Sequence, residues 1–243
     1  MEEFTPGHLF LGAMTMGNKQ GFTLLELLLI VAILAAVAAG AISAFNNVQE
    51  DATLRLANSE MLRIKDAILR FRQDTGYMPK QWPFRLVPDG SVPVPSQGAA
   101  WFNSPANFSQ LYDNPLSGTG HALETWNQNT SRGWRGPYLT RGGEGYVDIG
   151  DGLNADGTGS PTSGGPLNEV QGVADSFIAR PVGSYLVWRT SSGGPPHDRW
   201  GRPYLLFDLD NTNVRIVCMG PNLIYESNST GAGGDDIVLY LLK

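Results

Sequence analysis

The hydrophobic pattern of the chain begins with a long apolar segment, residues 22–49, and continues with a periodic one. Residues 22–45 are apolar with four exceptions, Thr23, Glu26, Gly40 and Ser43. No charged residue occurs over residues 27–49. At about 1.5 Å per residue, a helix over residues 22–45 is about 36 Å long, which exceeds a hydrocarbon core of about 30 Å. We therefore predict a membrane-spanning helix in the apolar segment.

The next stretch, residues 50–76, has the spacing of an amphipathic helix. Its apolar residues recur at alternating steps of three and four, which places them on one helix face. They are Leu54, Ala57, Met61, Ile64, Ile68 and Phe71. The stripe lasts under three heptads, which favours packing on a sheet over a coiled coil. Because no proline occurs over residues 22–77, we predict one continuous helix that ends near Gly76 and Pro79.

The rest of the chain lacks a long period and favours short strands. Residues 77–197 are rich in Gly, Pro, Ser and Asn, so we expect an irregular variable region there. Residues 184–189, 204–208, 214–219 and 237–242 are predicted strands, and the turn-rich residues 209–213 join the second and third of these in an antiparallel hairpin. The predicted fold class is α+β, with a long N-terminal helix whose second half packs on a small antiparallel sheet.

Composition and charge exclude several function classes. Over 243 residues the formal net charge is −6, so the total charge does not indicate a nucleic-acid surface, and we predict no nucleic-acid partner. Cys218 is the one cysteine, so no intrachain disulfide forms, and its apolar neighbours predict a buried thiol. The three histidines form no motif with Cys218. Without a visible triad, metal cluster or phosphate loop, we predict that the protein is not an enzyme.

The acidic residue inside the apolar segment is the strongest functional signal. A carboxylate such as Glu26 costs about 2.5–3.5 kcal/mol inside a membrane helix, so it needs a partner. Cleavage after Gly21 would release an α-amino group on Phe22, four residues before Glu26. An amine and a carboxylate attract strongly in a low dielectric. Between neighbouring chains, this pair would set the axial register.

These residues resemble a known processing site. Lys19-Gln20-Gly21 followed by Phe22-Thr23-Leu24-Leu25-Glu26 is similar to the prepilin peptidase site of type IV pilins and type II secretion pseudopilins. The resemblance implies a class III leader over residues 1–21 that is removed, N-methylation of Phe22, and an assembly role for Glu26. We expect Met16 or Met14 to be the true start of this leader. Three other interpretations are an ordinary secretory signal, a plain membrane anchor and a buried soluble helix.

A second resemblance opens the C-terminal region, residues 198–243. Asp198-Arg199-Trp200-Gly201-Arg202-Pro203-Tyr204 is similar to the Asp-x-Trp-Gly-x-Pro-Tyr motif of the major pseudopilin and many short pilins. Its residues predict a local turn, in which Asp198 bonds amides, Gly201 and Pro203 shape the bend, and Trp200 and Tyr204 pack inward. The motif is structural rather than catalytic.

Two acidic loops are candidates for calcium. The glycine-rich residues 220–237 resemble the calcium loop of major pseudopilins, which implies Asp235 and Asp236 as ligands, with Asn222 and Glu226 as further oxygen donors. The alternative is two acids that cap a loop before a strand. Residues 148–157 also look like a calcium loop, but they lack the acids that an EF-hand needs at its first and twelfth positions, which favours a solvated turn cluster.

Together these resemblances imply a filament subunit, most specifically a type II secretion major pseudopilin that polymerises through its N-terminal helix. The alternatives are a type IV pilus pilin for adhesion, motility or DNA uptake, and a membrane-anchored binding module. The implied partners are further copies of the chain, prepilin peptidase, an inner-membrane platform with its ATPase, and minor pilins or pseudopilins. The implied location is the bacterial inner membrane, with Lys19 on the cytoplasmic side, and then a periplasmic or cell-surface filament.

Overall fold

The computed structural model describes residues 23–88, 90–140, 145–177, 187–189, 202–210, 212–226 and 233–243, with side chains except at residues 43–47, 145 and 187–189. The chain divides into two units, residues 1–47 and 48–243. The described helices are α1 (Leu24–Thr75), α2 (Ala99–Asn103) and α3 (Ser109–Tyr112). The described strands are β1 (Gly145–Gly150), β2 (Pro166–Gly172), β3 (Val187–Arg189), β4 (Leu205–Phe207), β5 (Arg215–Cys218) and β6 (Ile237–Tyr240).

The first unit contains the N-terminal part of α1. Residues Leu24–Ile42 have a mean hydropathy of 2.7 and none of them is buried. By length and composition this stretch is able to cross a membrane, as the sequence predicts. The helix begins at Leu24, which confirms the predicted helical state of the apolar segment from that residue onward. Phe22 lies outside the described residues.

In the second unit, the amphipathic part of α1 supplies one wall of the core. Ala57, Met61, Ile64, Ile68 and Phe71 are fully buried, which confirms the predicted stripe. The hydroxyl of Tyr204, next to β4, donates to the carbonyl oxygen of Ala57 at 3.4 Å. This side of the helix therefore packs against the C-terminal sheet region.

The C-terminal end of α1 closes where the sequence predicts. Gly76 adopts a φ of 89°, and its N–H donates to the carbonyl oxygen of Arg72 at 2.8 Å. A left-handed residue at this position is the usual glycine cap of a helix. The guanidinium of Arg132 donates to the carbonyl oxygen of Gln73 at 2.8 Å. A distant loop thus satisfies one of the carbonyls that the helix end leaves unpaired.

The C-terminal sheet has the strand order β4-β5-β6 and is antiparallel throughout. Ile216 on β5 pairs with Leu206 on β4 and with Leu239 on β6. All residues of β4 and β5 are buried, as expected for strands covered on both faces. The predicted hairpin and the predicted last strand are both confirmed.

The middle of the chain is more regular than the sequence predicts. Strands β2, β1 and β3 form a second three-stranded antiparallel sheet within residues 77–197. The pairing of β1 with β2 shifts between Val147 and Ile149, and Asp148 between them is buried. Its carboxylate accepts a hydrogen bond from the Glu169 N–H at 3.0 Å. The described part of the predicted strand 184–189 joins this sheet rather than the C-terminal one.

The buried side chain of Arg215 joins a loop of the middle region to the C-terminal sheet. Arg215 on β5 is 1% exposed and pairs with the carboxylate of Asp208. Its other terminal nitrogen donates to the carbonyl oxygen of Asp156 at 2.9 Å. The hydroxyl of Tyr225 donates to the carbonyl oxygen of Gly157 at 2.7 Å. The loop that follows β1 is therefore fixed to the C-terminal hairpin by polar contacts.

Candidate functional site

The N-terminal end of α1 is a complete capping box. The hydroxyl oxygen of Thr23 accepts a hydrogen bond from the N–H of Glu26 at 3.2 Å. In return, Oε2 of Glu26 accepts hydrogen bonds from the N–H and the hydroxyl of Thr23, both at 2.9 Å. This reciprocal pattern satisfies two of the backbone donors that a helix start leaves unpaired. This role of Thr23 and Glu26 is not among the predictions from the sequence, although Thr-x-x-Glu before an apolar run is its usual signature.

The capping box gives Glu26 a partner inside its own chain. Both hydrogen bonds from Thr23 reach Oε2, and Oε1 accepts none from the described residues. Among the described residues, the carboxylate is therefore bonded through one of its two oxygens. Gly21 and Phe22, the predicted processing residues, lie outside the described residues. The predicted attraction between Glu26 and the amine of Phe22 stays a prediction.

The helix that follows the capping box exposes its apolar side chains on every face. Over residues 24–42, the large apolar side chains are between 46% and 82% exposed, with Ile30 the least and Leu24 the most. An apolar surface of this extent is typical of a segment that contacts a membrane or another protein. This apolar surface of the first unit is therefore a candidate contact surface for a membrane or another chain.

The turn motif of the C-terminal region is described in part. Asp198, Trp200 and Gly201 lie outside the described residues. Pro203 forms an isolated antiparallel bridge with Ala174. Tyr204 is fully buried, and its N–H donates to the carbonyl oxygen of Val173 at 2.9 Å. The inward position of Tyr204 agrees with the structural role that the motif predicts, and the roles of the first three residues stay predictions.

The C-terminal loop brings the four predicted oxygen donors together. A carboxylate oxygen of Asp235 accepts from the N–H of Asn222 at 2.8 Å. A carboxylate oxygen of Asp236 accepts from the N–H of Glu226 at 2.9 Å. The side-chain amide of Asn222 donates to the carboxylate of Glu226 at 2.8 Å. The two sides of the loop are thus joined by hydrogen bonds among the same residues that were predicted as ligands.

This arrangement fits calcium only in part. Among the described residues, no group of three or more His, Cys, Asp and Glu side chains is arranged to hold a metal ion. Oδ1 of Asp235 is buried and accepts no hydrogen bond from the described residues, so this oxygen is a candidate ligand. Residues 227–232 of the loop lie outside the described residues. Calcium binding by Asp235, Asp236, Asn222 and Glu226 therefore stays a prediction.

The other acidic loop uses its side chains in turns. One carboxylate oxygen of Asp156 accepts hydrogen bonds from the N–H and the hydroxyl of Thr158, at 2.9 and 2.8 Å. These bonds, first the one from the backbone N–H, lower the pKa of Asp156. The side-chain amide of Asn154 donates to the same hydroxyl at 2.7 Å. This geometry agrees with a turn cluster rather than an EF-hand.

Cys218 occupies a closed environment. It is fully buried, and its thiol donates to a carboxylate oxygen of Asp175 at 3.4 Å. Burial raises the pKa of the Cys218 thiol, and the charge of Asp175 raises it further. Burial also raises the pKa of Asp175 to about 7. A thiol that stays protonated and inaccessible is a structural group, because the thiolate is the reactive form.

One comparison with known proteins gives a match, and it falls on the N-terminal site. A family model of the prokaryotic N-terminal methylation motif matches residues 16–42. No curated protein and no solved structure matches the chain. The matched range contains Gly21, Phe22 and the capping box that Thr23 and Glu26 form. Together with the exposed apolar helix, the match supports a prepilin-type N-terminus that fits membrane anchoring.

The class that this motif supports is a type IV pilin-like or pseudopilin subunit. The motif implies processing by prepilin peptidase and assembly into a filament, and its family is structural rather than enzymatic. The α+β architecture, with an N-terminal apolar helix and antiparallel sheets, is consistent with a pilin-like fold.

Proposed function

We propose that this chain is the subunit of a helical filament that assembles through the apolar part of α1, and most specifically a type II secretion major pseudopilin-like protein. The observation that carries the proposal is the N-terminus of α1. Three features coincide over residues 16–42. They are a match to the methylation motif, a capping box that holds the carboxylate of Glu26, and an exposed apolar helix. A plain membrane anchor accounts for the last feature only.

The exposed apolar surface suits two successive environments. In a bilayer, lipid covers the side chains of residues 24–42, and in a filament the same side chains pack against equivalent helices of other subunits. Both environments are apolar, so the transfer needs no change in this part of the sequence. Since every face of the helix is exposed, each subunit is able to contact several neighbours at once.

Glu26 supplies the directional contact in this assembly. Its Oε2 is held by Thr23, which fixes the position of the carboxylate at the start of the helix. The second oxygen, Oε1, accepts no hydrogen bond from the described residues. After cleavage beyond Gly21, the amine of Phe22 on a neighbouring chain would bind this oxygen. A charge pair in an apolar environment is strong and sensitive to geometry, which suits it to set register.

The C-terminal region supports the pseudopilin over the pilin. The hairpin of β4 and β5, the buried Tyr204 and the acidic loop that ends at Asp236 follow the order expected for the major pseudopilin. A type IV pilus pilin with a role in adhesion, motility or DNA uptake is the second candidate, favoured by the size of the region over residues 77–197. Either function implies an inner-membrane platform, an ATPase and minor subunits as partners.

Two matched substitutions test the role of Glu26. Glu26→Gln keeps an acceptor oxygen for the capping box and removes the charge, whereas Glu26→Ala removes both. We expect both variants to be inserted into the membrane and cleaved, and both to be absent from sheared filaments. Glu50→Gln, at an exposed position of the same helix, serves as the control and should assemble normally. Normal assembly of Glu26→Gln would show that the capping box, and not the charge pair, is what assembly requires.

The processing site has a direct test. N-terminal sequencing and mass spectrometry of the filament protein should give Phe22 as the first residue, with an added methyl group on its amine. Any other first residue contradicts the predicted cleavage after Gly21, and with it the prepilin interpretation. Glu26 would then lie at another distance from the mature N-terminus, and the proposed pair would lose its geometric basis.

We also propose that the C-terminal loop binds calcium through Asp235, Asp236, Asn222 and Glu226. Binding at about 100 times the dissociation constant adds about 2.7 kcal/mol to stability. We expect calcium, but not magnesium, to raise the unfolding temperature, and Asp235→Asn to remove the effect. Asp210→Asn, at an exposed acid outside the loop, should retain it. An unfolding temperature that calcium leaves unchanged contradicts this proposal and leaves the filament proposal intact.

A further inference from the structure

A cavity lies beside the C-terminal end of α1, within residues 48–243. Its volume is about 470 Å³, in the range of small-ligand sites. The lining residues come from three separate segments of the chain. They are Thr75, Gly76, Tyr77, Trp82, His121, Leu123 and Arg132. None of them belongs to the capping box, the turn motif or the acidic loop described above.

An exposed tryptophan forms one wall of this cavity. Trp82 is 50% exposed, although tryptophan is highly buried on average. Its ring packs edge-to-face with Tyr77 at 5.8 Å between centroids and with His121 at 6.3 Å. These perpendicular contacts hold the indole in place and leave half of its surface uncovered. The result is a fixed, flat, apolar platform that faces solvent.

The polar groups of the lining are hydrogen-bond donors. Nδ1 of His121 accepts the N–H of Leu123 at 3.1 Å, which places the proton of a neutral ring on Nε2. The indole N–H of Trp82 and the hydroxyl of Tyr77 donate to no group among the described residues. The guanidinium of Arg132 uses one nitrogen on the carbonyl oxygen of Gln73, and its other two nitrogens make no hydrogen bond with the described residues. No Asp or Glu is among the lining residues.

A ligand for this cavity must therefore be rich in acceptors and present one flat apolar face. It should also carry negative charge, because the lining contains a permanent cation and no carboxylate. The C–H face of a pyranose ring suits the negative face of an aromatic platform. The oxygens of the sugar accept hydrogen bonds from the donors of the lining. A carboxylate attached to the ring accepts two hydrogen bonds from an arginine guanidinium.

We propose that this cavity binds a saccharide that carries a carboxylate. Trp82 stacks against one sugar ring, Tyr77 and His121 donate to ring or hydroxyl oxygens, and Arg132 binds the carboxylate. All lining residues belong to the second unit, so the site does not include the apolar segment. A failure of saccharide binding would therefore leave the filament proposal unaffected, and a failure of the filament proposal would leave saccharide binding unaffected.

The test uses the full chain in detergent micelles and isothermal titration calorimetry. The probe is a trimer of galacturonic acid, and the matched control is the same trimer with its carboxylates methyl-esterified. We expect the acid to bind at least about tenfold more tightly than the ester, which corresponds to about 1.4 kcal/mol. No heat of binding for the acid, or equal affinity for both probes, would overturn the proposal.

Three substitutions locate the site. Trp82→Ala should weaken binding of both probes at least about tenfold, because it removes the platform. Arg132→Gln should reduce the affinity for the acid to that for the ester and leave the ester unchanged. Trp126→Ala is the control, since this half-buried indole contacts Arg135 outside the cavity and should not change binding. Unchanged binding in Trp82→Ala would refute the assignment of the site.

Arg132 also contacts the end of α1, so its substitution needs a check on folding. The circular dichroism of the aromatic side chains and the unfolding temperature supply that check. Arg132→Lys keeps the charge without the fork and should bind the acid between the wild type and Arg132→Gln. If Arg132→Gln unfolds, the acid and ester comparison on the wild-type chain still decides the role of charge.

Discussion

The two parts of α1 belong to one helix, but they differ in the exposure of their apolar side chains. Over residues 24–42 every large apolar side chain is exposed. Over residues 54–71 the apolar side chains form one stripe, and five of its six members are fully buried, from Ala57 to Phe71. The second part is therefore packed within its own unit, whereas the first part is predicted to contact a membrane or other chains.

This difference assigns separate consequences to substitutions in the two parts. Changes to the stripe should alter the stability of the second unit, because they leave cavities in a packed core. Changes to the apolar segment should alter membrane insertion or assembly and leave that stability unchanged. The contrast is open to direct measurement, because all six tryptophans lie at residue 82 or beyond. Their fluorescence therefore reports the unfolding of the second unit.

The largest expected effect comes from the end of the stripe. Phe71 packs edge-to-face with Phe84 at 4.8 Å and with Tyr138 at 5.4 Å between ring centroids. Phe71→Ala should lower the free energy of unfolding by about 3–5 kcal/mol. Leu28→Ala, at a position that is 64% exposed, should change it by less than about 0.5 kcal/mol. Urea unfolding of the full chain in micelles, followed by tryptophan fluorescence, measures both.

An equal loss of stability in Leu28→Ala would break the comparison. It would show that the apolar segment contributes to the core of the second unit. In that case its exposed surface would not be available for other chains, and the filament proposal would lose its main support.

The stripe and the C-terminal hairpin are the parts of the fold that the sequence predicts well. Both have a clear local pattern. The stripe has an unbroken period of 3.6 residues, and the hairpin has two short apolar strands on either side of a turn. The middle sheet has no such signal. Asp148 is a buried acid within β1, the register shifts beside it, and Glu169 within β2 adopts a φ of 58°. Alternation is lost at those positions, so no strand pattern is visible.

The candidate sites also differ in how far the sequence alone indicates them. The capping box is local, because it consists of four consecutive residues from Thr23 to Glu26. Its signature is visible in the sequence. The processing residues Gly21 and Phe22 are equally local. The cavity beside α1 is formed by Tyr77, Trp82, His121 and Arg132, which come from three separate segments of the chain. Only the folded arrangement brings these four together, so no sequence pattern could have indicated them.

A second prediction concerns the buried ion pair of Asp208 and Arg215 within the C-terminal hairpin. Asp208→Ala leaves Arg215 charged and buried without its carboxylate. Loss of one partner of a buried ion pair should lower the free energy of unfolding by about 3 kcal/mol. Replacing both partners, with Asp208→Ala and Arg215→Met together, should restore part of that loss, because no charge is then left buried. The same urea unfolding experiment applies.

The matched control for this pair lies on the amphipathic part of α1. Glu60 and Arg63 form an ion pair at 2.8 Å whose side chains are 31% and 40% exposed. Exposed pairs of this kind contribute little, so Glu60→Ala should lower stability by less than about 0.5 kcal/mol. A loss from Glu60→Ala as large as that from Asp208→Ala would show that burial does not distinguish the two pairs.

The smallest expected effect returns to the start of the helix. Thr23→Ala removes the hydroxyl that accepts the N–H of Glu26, and loss of such a cap costs about 1 kcal/mol. The first turn of α1 should open more often, so the amide hydrogen of Glu26 should exchange about fivefold faster. Thr23→Ser keeps the hydroxyl and should exchange as the wild type does. Hydrogen exchange followed by NMR in micelles measures this rate.

The stability of the second unit should not change in either Thr23 variant, because the capping box lies in the first unit. This outcome would sharpen the comparison, since it separates a local event at the helix start from the core beyond residue 48. If Thr23→Ala left the exchange rate unchanged, the hydroxyl of Thr23 would not protect the N–H of Glu26, and the capping box would not stabilise the helix start.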